Sequence, residues 1–202
     1  SQAQLHRLRQ THVAVVGFKP VASGCEQTAN GLRNADALAL QQASSIAMPY
    51  ATVNPYAFAP PIAPHLAAEL AGVAIDCEVI RRGIASVAAE RVVVEGVGGW
   101  LVPLNRRQTV ADLAQLLGLP VVLVVGVRLG CLNHALLTAE AIRARGLEIA
   151  GWVANRIDTQ CLLCEENIAA LDERLGMPLL MSLPWFDTLP QPASLADALL
   201  MR

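Results

Sequence analysis

The sequence predicts an α/β protein with a doubly wound, mainly parallel sheet and flanking helices. Three short runs of β-branched and aliphatic residues, at positions 12–18, 91–94 and 121–125, have the length and composition of strands. The run at 91–94 contains three consecutive valines, as strands buried on both faces of a parallel sheet do. Segments with apolar residues at helical spacing separate these runs. Such alternation of strands and helices is typical of a parallel sheet covered by helices on both sides.

Composition bounds the kind of protein. The 202 residues are enough for one domain with a sizeable core. Hydrophobic residues make up 54% and the mean hydropathy is +0.43, but no apolar run approaches the roughly 18 residues that a membrane span needs. A net charge of −2 without a basic cluster argues against nucleic acid or an anionic membrane as partner. Five cysteines without a secretory signal favour the reduced cytoplasm over a disulfide framework.

The first half of the chain begins inside an element. Residues 1–10 have the character of the end of a helix, with leucines at positions 5 and 8. Capping residues then mark later helix starts, such as Thr109 with Asp112 three positions on. In order, the predicted elements are a strand over 12–18, a helix from Asn34, an extended surface connection over 51–64, helices over 65–71 and 76–89, a strand over 91–94 and a helix over 109–117.

The second half repeats the alternation. Its predicted elements are a strand over 121–125, a helix from the 126–134 loop to 145, a strand over 149–153 ending in 154–156, a helix over 161–175, a strand over 178–184 and a last helix near 194–200. Cys161 and Cys164 form a C-x-x-C pair, a spacing that zinc sites and redox motifs use. No second Cys/His pair at ligand spacing and no thioredoxin-like unit accompanies it, so the sequence does not favour either role.

Three candidate functional residues belong to the first half. Lys19 follows the first strand directly, in the loop Lys19–Gly24, where its compact charge can meet phosphate oxygens; a solvated loop lysine explains it equally well. Glu95 ends the strand at 91–94, at the sheet edge where α/β proteins bind ligands; it either holds or orients Mg²⁺ or is a solvated residue at a strand end. Asp36 lies in the first turn of a helix, where it either complements the helix dipole or supplies a second carboxylate for a metal held by Glu95.

Two further candidates belong to the second half. Gly130 lies in a loop that enters a helix, and the free N–H groups of a helix start suit an anion, although a plain strand-to-helix connection has the same pattern. Asn155 offers both a donor and an acceptor, so it either reads the edge of a base or turns the chain.

Six stretches together resemble dethiobiotin synthetase, the ATP-dependent carboxylating ligase of biotin synthesis. They occur in the order and at the spacing of that family and span almost the whole chain, with the P-loop NTPase-like form of the fold as the implied architecture. The stretches are Gly17–Gly24, Leu32–Leu40, Tyr50–Tyr56, Val94–Trp100, Val124–His134 and Ala150–Asn155.

The resemblance implies a reaction. The family carboxylates 7,8-diaminopelargonate with CO₂ to a carbamate, and ATP activates the carbamate as a carbamic-phosphoric anhydride. The second amine then closes the cyclic urea of dethiobiotin and releases phosphate. Mg²⁺ is the implied cofactor, ATP the co-substrate, and a homodimer with the substrate site at the subunit interface the implied assembly.

The resemblance also implies a role for each matching residue. Lys19 is expected to be catalytic, neutralising the carbamate and the transferring phosphoryl group, with Ser23 hydrogen-bonding beside it. Asp36 and Glu95 are expected to hold Mg²⁺ against the phosphates. The remaining expected contacts are Gly98, Asn155 and Pro184 with the nucleotide, and Gly130, Cys131, Leu132 and Asn133 with the carboxylate of the diamine.

One departure from the family concerns the phosphate site. The family opens with a strand and a P-loop, G-x-x-x-x-G-K-[ST], and the sequence contains no match to that motif. Losing three charge-assisted hydrogen bonds of about 1.5–3 kcal/mol each removes micromolar nucleotide affinity. We therefore expect residues 1–202 to be a single dethiobiotin synthetase-like domain truncated at its amino terminus. Two other function classes share the fold: an inactive dimerisation or binding module, and a deviant-P-loop regulatory ATPase.

Overall fold

The structure is a computed structural model that describes residues 1–188 and residue 195. It divides into two compact units, the first running from Ser1 to Leu117 and the second beginning at Gly118. The helix predicted near 194–200 lies outside the described residues, apart from position 195. The single domain over residues 1–202 stays a prediction.

The first unit contains most of the elements. Its central feature is a pair of parallel strands, and a second parallel pair and an antiparallel hairpin accompany it. In chain order the elements are α1 (Gln2–Leu8), β1 (Val15–Phe18), β2 (Val21–Ala22), β3 (Glu26–Thr28), β4 (Gly31–Arg33), α2 (Ala35–Ala43), α3 (Tyr50–Val53), β5 (Tyr56–Ala57), α4 (Pro64–Leu70), α5 (Cys77–Ala85), β6 (Arg91–Val94) and α6 (Val110–Leu117).

Strands β1 and β6 form the central parallel pair, with Val15 opposite Arg91 and Phe18 opposite Val94. Alternation of side chains sends Val15 into one cluster with residues of α1 and α2, and Phe18 into another on the opposite face. β1 is therefore buried on both faces. β6 follows the same alternation less deeply, because only Val93 is fully buried.

Side-chain caps begin two helices of this unit. Asn34 accepts a hydrogen bond from the Ala37 amide at 3.1 Å and starts α2. Asp76 accepts bonds from the Glu78 and Val79 amides at 2.8 and 3.3 Å and starts α5. Each carboxylate or amide oxygen satisfies amides that the helix itself leaves unpaired.

Two predictions for this unit were wrong in detail. The strand expected over 12–18 begins only at Val15, because Val13 is 85% exposed and its amide donates to the Glu90 carboxylate instead of a strand. The extended surface connection expected over 51–64 contains α3 and β5, and buries Phe58. A third difference is smaller: α5 ends at Ala85 rather than continuing to 89.

The second unit is a three-stranded parallel sheet with two helices. Its elements are β7 (Val121–Val127), α7 (Cys131–Ala144), β8 (Ile149–Arg156), α8 (Cys164–Leu175) and β9 (Leu179–Leu183), with the strands in the order β7-β8-β9. Trp152, Ile142 and Leu171 are almost fully buried in its core.

The predicted fold class, a parallel-sheet α/β protein with flanking helices, is confirmed. Both main sheets are parallel, and helices alternate with their strands. Within the described part of the chain, no helix has the length and apolar character required to cross a bilayer.

Candidate active site at the ends of β1 and β6

The register of β1 and β6 brings two predicted site residues together. The last paired residues are Phe18 and Val94, so Lys19 and Glu95 leave adjacent parallel strands at the same edge of the sheet. The Glu95 amide continues the ladder by donating to the Phe18 carbonyl at 2.8 Å. The proximity of Lys19 and Glu95 therefore follows from backbone pairing.

Lys19 is the only lysine in the sequence, and it is 8% exposed. Its Nζ donates to Glu95 Oε1 at 2.8 Å and to the Gly96 carbonyl oxygen at 2.9 Å. Asp36 Oδ2 lies 3.6 Å from the same nitrogen. Lysine is rarely buried unless it is paired, and here two carboxylates and a carbonyl converge on it.

The two carboxylates differ in environment. Burial raises the pKa of Glu95, but the charge and hydrogen bond of Lys19 oppose it, and that pKa lies below its ordinary value. Glu95 is therefore ionised at neutral pH. Asp36 is more open, with 59% of its side chain exposed against 29% for Glu95. One carboxylate fixes the lysine, and the other faces outward beside it.

These oxygens suit a hard cation. Mg²⁺ takes oxygen ligands and is often bound through one or two carboxylates plus substrate phosphates. Among the described residues no group of three or more His, Cys, Asp or Glu side chains could hold a metal ion. The Asp36–Glu95 pair therefore fits Mg²⁺ only in the mode in which phosphates and water complete the coordination.

The second unit presents the start of α7. Gly130 precedes the helix with φ of +90°, a conformation that favours glycine. Cys131 is buried, whereas Asn133 is exposed. Amides in the first turn of a helix lack intrahelical acceptors, and among the described residues no side chain caps this start. The predicted anion-binding residues thus form the positive end of a 14-residue helix.

The ends of β8 and β9 bring the other two predicted nucleotide residues together. Asn155 pairs in register with Leu183, the residue before Pro184. Asn155 is half-buried and Pro184 is exposed. Both therefore lie at one edge of the second unit's sheet.

Comparison with known proteins gives one consistent family. A family model described as an AAA domain matches residues 3–193. The ATP-dependent dethiobiotin synthetase BioD of Pseudomonas aeruginosa (strain UCBPP-PA14) is 53% identical over 201 residues, covering 98% of this chain and 88% of that protein. The proteins of the same name from Xanthomonas oryzae pv. oryzae (strain PXO99A) and Pseudomonas paraeruginosa (strain DSM 24068 / PA7) are each 56% identical. They cover 92% and 89% of this chain and 84% and 80% of their own lengths. The chain belongs to the dethiobiotin synthetase family.

In this dethiobiotin synthetase family member, sequence reasoning missed one group of residues that positions Lys19. Asn54 is 3% exposed, and its Nδ2 donates to the Lys19 carbonyl oxygen. Tyr50 donates its hydroxyl to Asn54 Oδ1 at 2.9 Å and accepts the Asn34 amide at 2.8 Å. The chain from Asn34 through Tyr50 to Asn54 therefore links the start of α2, which carries Asp36, to the backbone of Lys19.

A signal for this group was available. Tyr50 and Asn54 lie within one of the six stretches that resemble dethiobiotin synthetases, but the prolines and aromatic residues around them are typical of surface connections. Asn54 is polar and yet buried, so it needs hydrogen-bond partners. Only the fold shows that the backbone of Lys19 is one of them.

Two other predicted residues of this family member have distinctive surroundings. Ser23 Oγ is buried and has no hydrogen-bond partner among the described residues, although an unmade hydrogen bond costs about 1–3 kcal/mol. Gly98 has φ of +67°, and a Cβ placed there would lie 2.9 Å from Val102 Cγ2. The Ser23 hydroxyl is therefore suited to a ligand, and the turn at Gly98 requires glycine.

Proposed function

We propose that the protein is an ATP-dependent dethiobiotin synthetase, which forms dethiobiotin from 7,8-diaminopelargonate, CO₂ and ATP. The observation that carries the proposal is the Lys19 centre, in which the only lysine is held between Glu95 and Asp36 at the carboxyl ends of two parallel strands. The names and identities of the relatives support the same reaction.

Lys19 neutralises charge through the reaction. One amine of the diamine and CO₂ give a carbamate, whose negative oxygen attacks the γ-phosphorus of ATP, and the bond to the β-phosphate oxygen breaks. A buried ammonium opposite that oxygen stabilises the charge as it moves, because few water molecules compete with it. The Asn54 hydrogen bond fixes the backbone from which this ammonium projects.

Ring closure completes the reaction. The second amine attacks the carbonyl carbon of the carbamic-phosphoric anhydride, the carbon–oxygen bond to phosphate breaks, and the amine loses one proton. The unpartnered Ser23 hydroxyl supports a role in orienting the substrate, because it can donate to or accept from a group beside Lys19.

Asp36 and Glu95 are the residues that would hold Mg²⁺. When bound, the ion supplies charge neutralisation on the β- and γ-phosphates. The exposure of Asp36 supports this role, because a carboxylate that faces outward can bind a cation without first breaking a buried structure. Gly98, in the tight turn after β6, allows the backbone to approach the nucleotide.

The second unit supplies the remaining contacts of the proposal. Asn155 and Pro184 contact adenine, through an amide that can pair with a base edge and a ring that can cover its face. The first turn of α7, from Gly130 to Asn133, binds the carboxylate of the diamine, in a homodimer whose substrate site lies at the subunit interface. The reaction takes place in the cytoplasm.

The test is product formation by the native gene product. Purified protein is incubated with diaminopelargonate, CO₂/bicarbonate and Mg-ATP, and dethiobiotin and ADP are measured by mass spectrometry. We expect one dethiobiotin for each ADP. ADP without dethiobiotin would instead support a regulatory ATPase. Diamine binding without either product would support an inactive binding module.

A further inference from the structure

A small cavity adjoins the Lys19–Glu95 pair inside the first unit. Its lining includes Glu95 and Gly96, and the other lining residues are apolar, among them Val94, Val97, Val110 and Leu113. Its volume is about 20 Å³, and a cavity of roughly 10–15 Å³ or more holds one water-sized molecule. The cavity therefore has room for a single small molecule.

The walls of the cavity do not suit water. A buried water molecule typically needs two to four polar partners. The Glu95 carboxylate and the Gly96 carbonyl oxygen, the polar groups of two lining residues, already accept hydrogen bonds from Lys19 Nζ at 2.8 and 2.9 Å. The other lining residues are apolar, so the cavity favours an uncharged, apolar molecule over water or an ion.

Only one of the three substrates has that chemistry. ATP and the diamine are large and charged, whereas CO₂ is linear, uncharged and without a net dipole. We propose that this cavity is the CO₂-binding site, which holds CO₂ until the amine attacks it. This inference rests on the proposed function. Bicarbonate, a hydrated anion, is excluded by the same apolar walls.

The position of the cavity fits the carboxylation step. The amine lone pair forms the nitrogen–carbon bond, one carbon–oxygen π pair moves onto oxygen, and the nitrogen releases one proton to water. The carboxylate of the new carbamate forms beside Glu95 and Gly96, the two lining residues to which Lys19 Nζ donates hydrogen bonds. CO₂ is thus held beside the ammonium that stabilises its product.

Two glycines of the loop after β6 provide a matched pair of variants. A Cβ on Gly96 would lie 3.5 Å from Val110 Cγ1, another residue of the cavity wall, so alanine there fits without a clash and takes up part of the space. A Cβ on Gly99 would meet nothing within 4 Å. Neither glycine has the left-handed φ that makes a side chain strained. Gly96→Ala and Gly99→Ala therefore add the same methyl group, one into the cavity and one into open space.

The experiment measures KM for CO₂, ATP and the diamine in wild type and both variants, with carbonic anhydrase keeping CO₂ and bicarbonate at equilibrium. Gly96→Ala is expected to raise KM for CO₂ about tenfold, as an overpacked site does, and to leave the other two KM values unchanged. Gly99→Ala keeps all three wild-type values. Val110→Ile, which adds a methyl group from the opposite wall, is expected to reproduce the effect and serves if Gly96→Ala does not fold.

Several outcomes would overturn the assignment. If the carbamate forms in free solution and binds ready-made, the active Gly96→Ala and Val110→Ile proteins keep the wild-type KM for CO₂. A joint rise of all three KM values would indicate a structural defect and not the loss of a CO₂-binding site. A wild-type protein that makes no dethiobiotin would overturn the proposed function and the CO₂-binding site with it. Failure of the CO₂-binding site alone is seen in active protein, so the two failures are distinguishable.

Discussion

The protein has two positively charged centres, the Lys19 ammonium and the start of α7, and they are built in opposite ways. In the first unit, the Lys19 ammonium is held by the chain's own carboxylates, with Glu95 at 2.8 Å and Asp36 at 3.6 Å. In the second unit, α7 begins directly after Gly130, and its first turn, described in full, contains no acidic residue. The chain partly neutralises the first positive centre, whereas no acidic residue of the first turn neutralises the second.

The difference matches the two kinds of charge that the proposed reaction handles. During phosphoryl transfer, charge moves and a cation must be held near it, so a centre with its own carboxylates is suited to that step. A substrate carboxylate keeps its charge throughout, and the positive end of a helix is enough to bind it. We therefore expect changes at the first centre to affect turnover and changes at the second to affect substrate affinity.

The largest expected effect is at Lys19. Lys19→Ala removes the ammonium on which both carboxylates converge, and we expect kcat to fall about 100- to 1,000-fold, as when a preorganised charge-stabilising donor is lost. Dethiobiotin formation measures turnover, and circular dichroism measures folding. Arg81→Ala is the matched control, because Arg81 makes an ion pair of the same 2.8 Å length with Glu78 in the same unit, but on the surface. Wild-type turnover in Lys19→Ala would show that the first centre is structural.

The next effect is at the start of α7. Asn133→Asp places a negative charge in the first turn, where it opposes a substrate carboxylate but complements the helix dipole. We expect KM for the diamine to rise about tenfold, which is 1.4 kcal/mol, while the free energy of unfolding increases slightly. Asn133→Ser is the neutral control and should leave KM unchanged. An unchanged KM in Asn133→Asp would contradict the role of this helix start.

A capped helix start should respond in the reverse way. Asp76→Ala removes the carboxylate that accepts the Glu78 and Val79 amides at the start of α5. We expect the free energy of unfolding to fall by about 1 kcal/mol, with all KM values unchanged. Urea denaturation measures the first quantity and steady-state kinetics the second. A rise in KM for the diamine would show that α7 is not special among the helix starts.

The smallest expected effect is the acid dependence of the Lys19–Glu95 pair. Because the folded-state pKa of Glu95 lies below its ordinary value of 4.5, the pair stabilises the folded state above that pH. This stabilisation is lost as the pH falls through the lower folded-state pKa. Urea denaturation of wild type and Glu95→Gln should therefore give free energies of unfolding that converge in acid. A difference that stays constant with pH would contradict the pKa assignment.

The proximity of Lys19 and Glu95 could be predicted from the sequence. The hydrogen bonds that position Lys19 could not. Lys19 and Glu95 each follow a predicted strand, and parallel strands align their carboxyl ends, so their proximity needs only the correct pairing of β1 and β6. Asn34 was likewise predictable as a helix start. What local pattern could not provide is a partner distant in sequence: Asn54 contacts the Lys19 carbonyl across 35 positions.

The burial of individual residues was the second property that the sequence could not predict. The apolar run at 12–18 does not show which of its residues pair with a neighbour, and Val13 is exposed although it is β-branched. The segment at 51–64 is rich in proline, which removes backbone donors and favours loops, yet Phe58 packs into the core. Both errors arise because tertiary contacts, and not local propensity, decide where these residues lie.

The most direct test of the account follows oxygen through the reaction. If ATP activates a carbamate, ring closure breaks the bond between the carbamate carbon and an oxygen that came from CO₂, and this oxygen leaves with phosphate. The native protein is supplied with ¹⁸O-labelled CO₂ for a period shorter than its exchange with water, and inorganic phosphate is analysed by mass spectrometry. We predict one ¹⁸O atom in the phosphate for each dethiobiotin formed. Dethiobiotin accompanied by unlabelled phosphate, or phosphate release without dethiobiotin, would contradict the account.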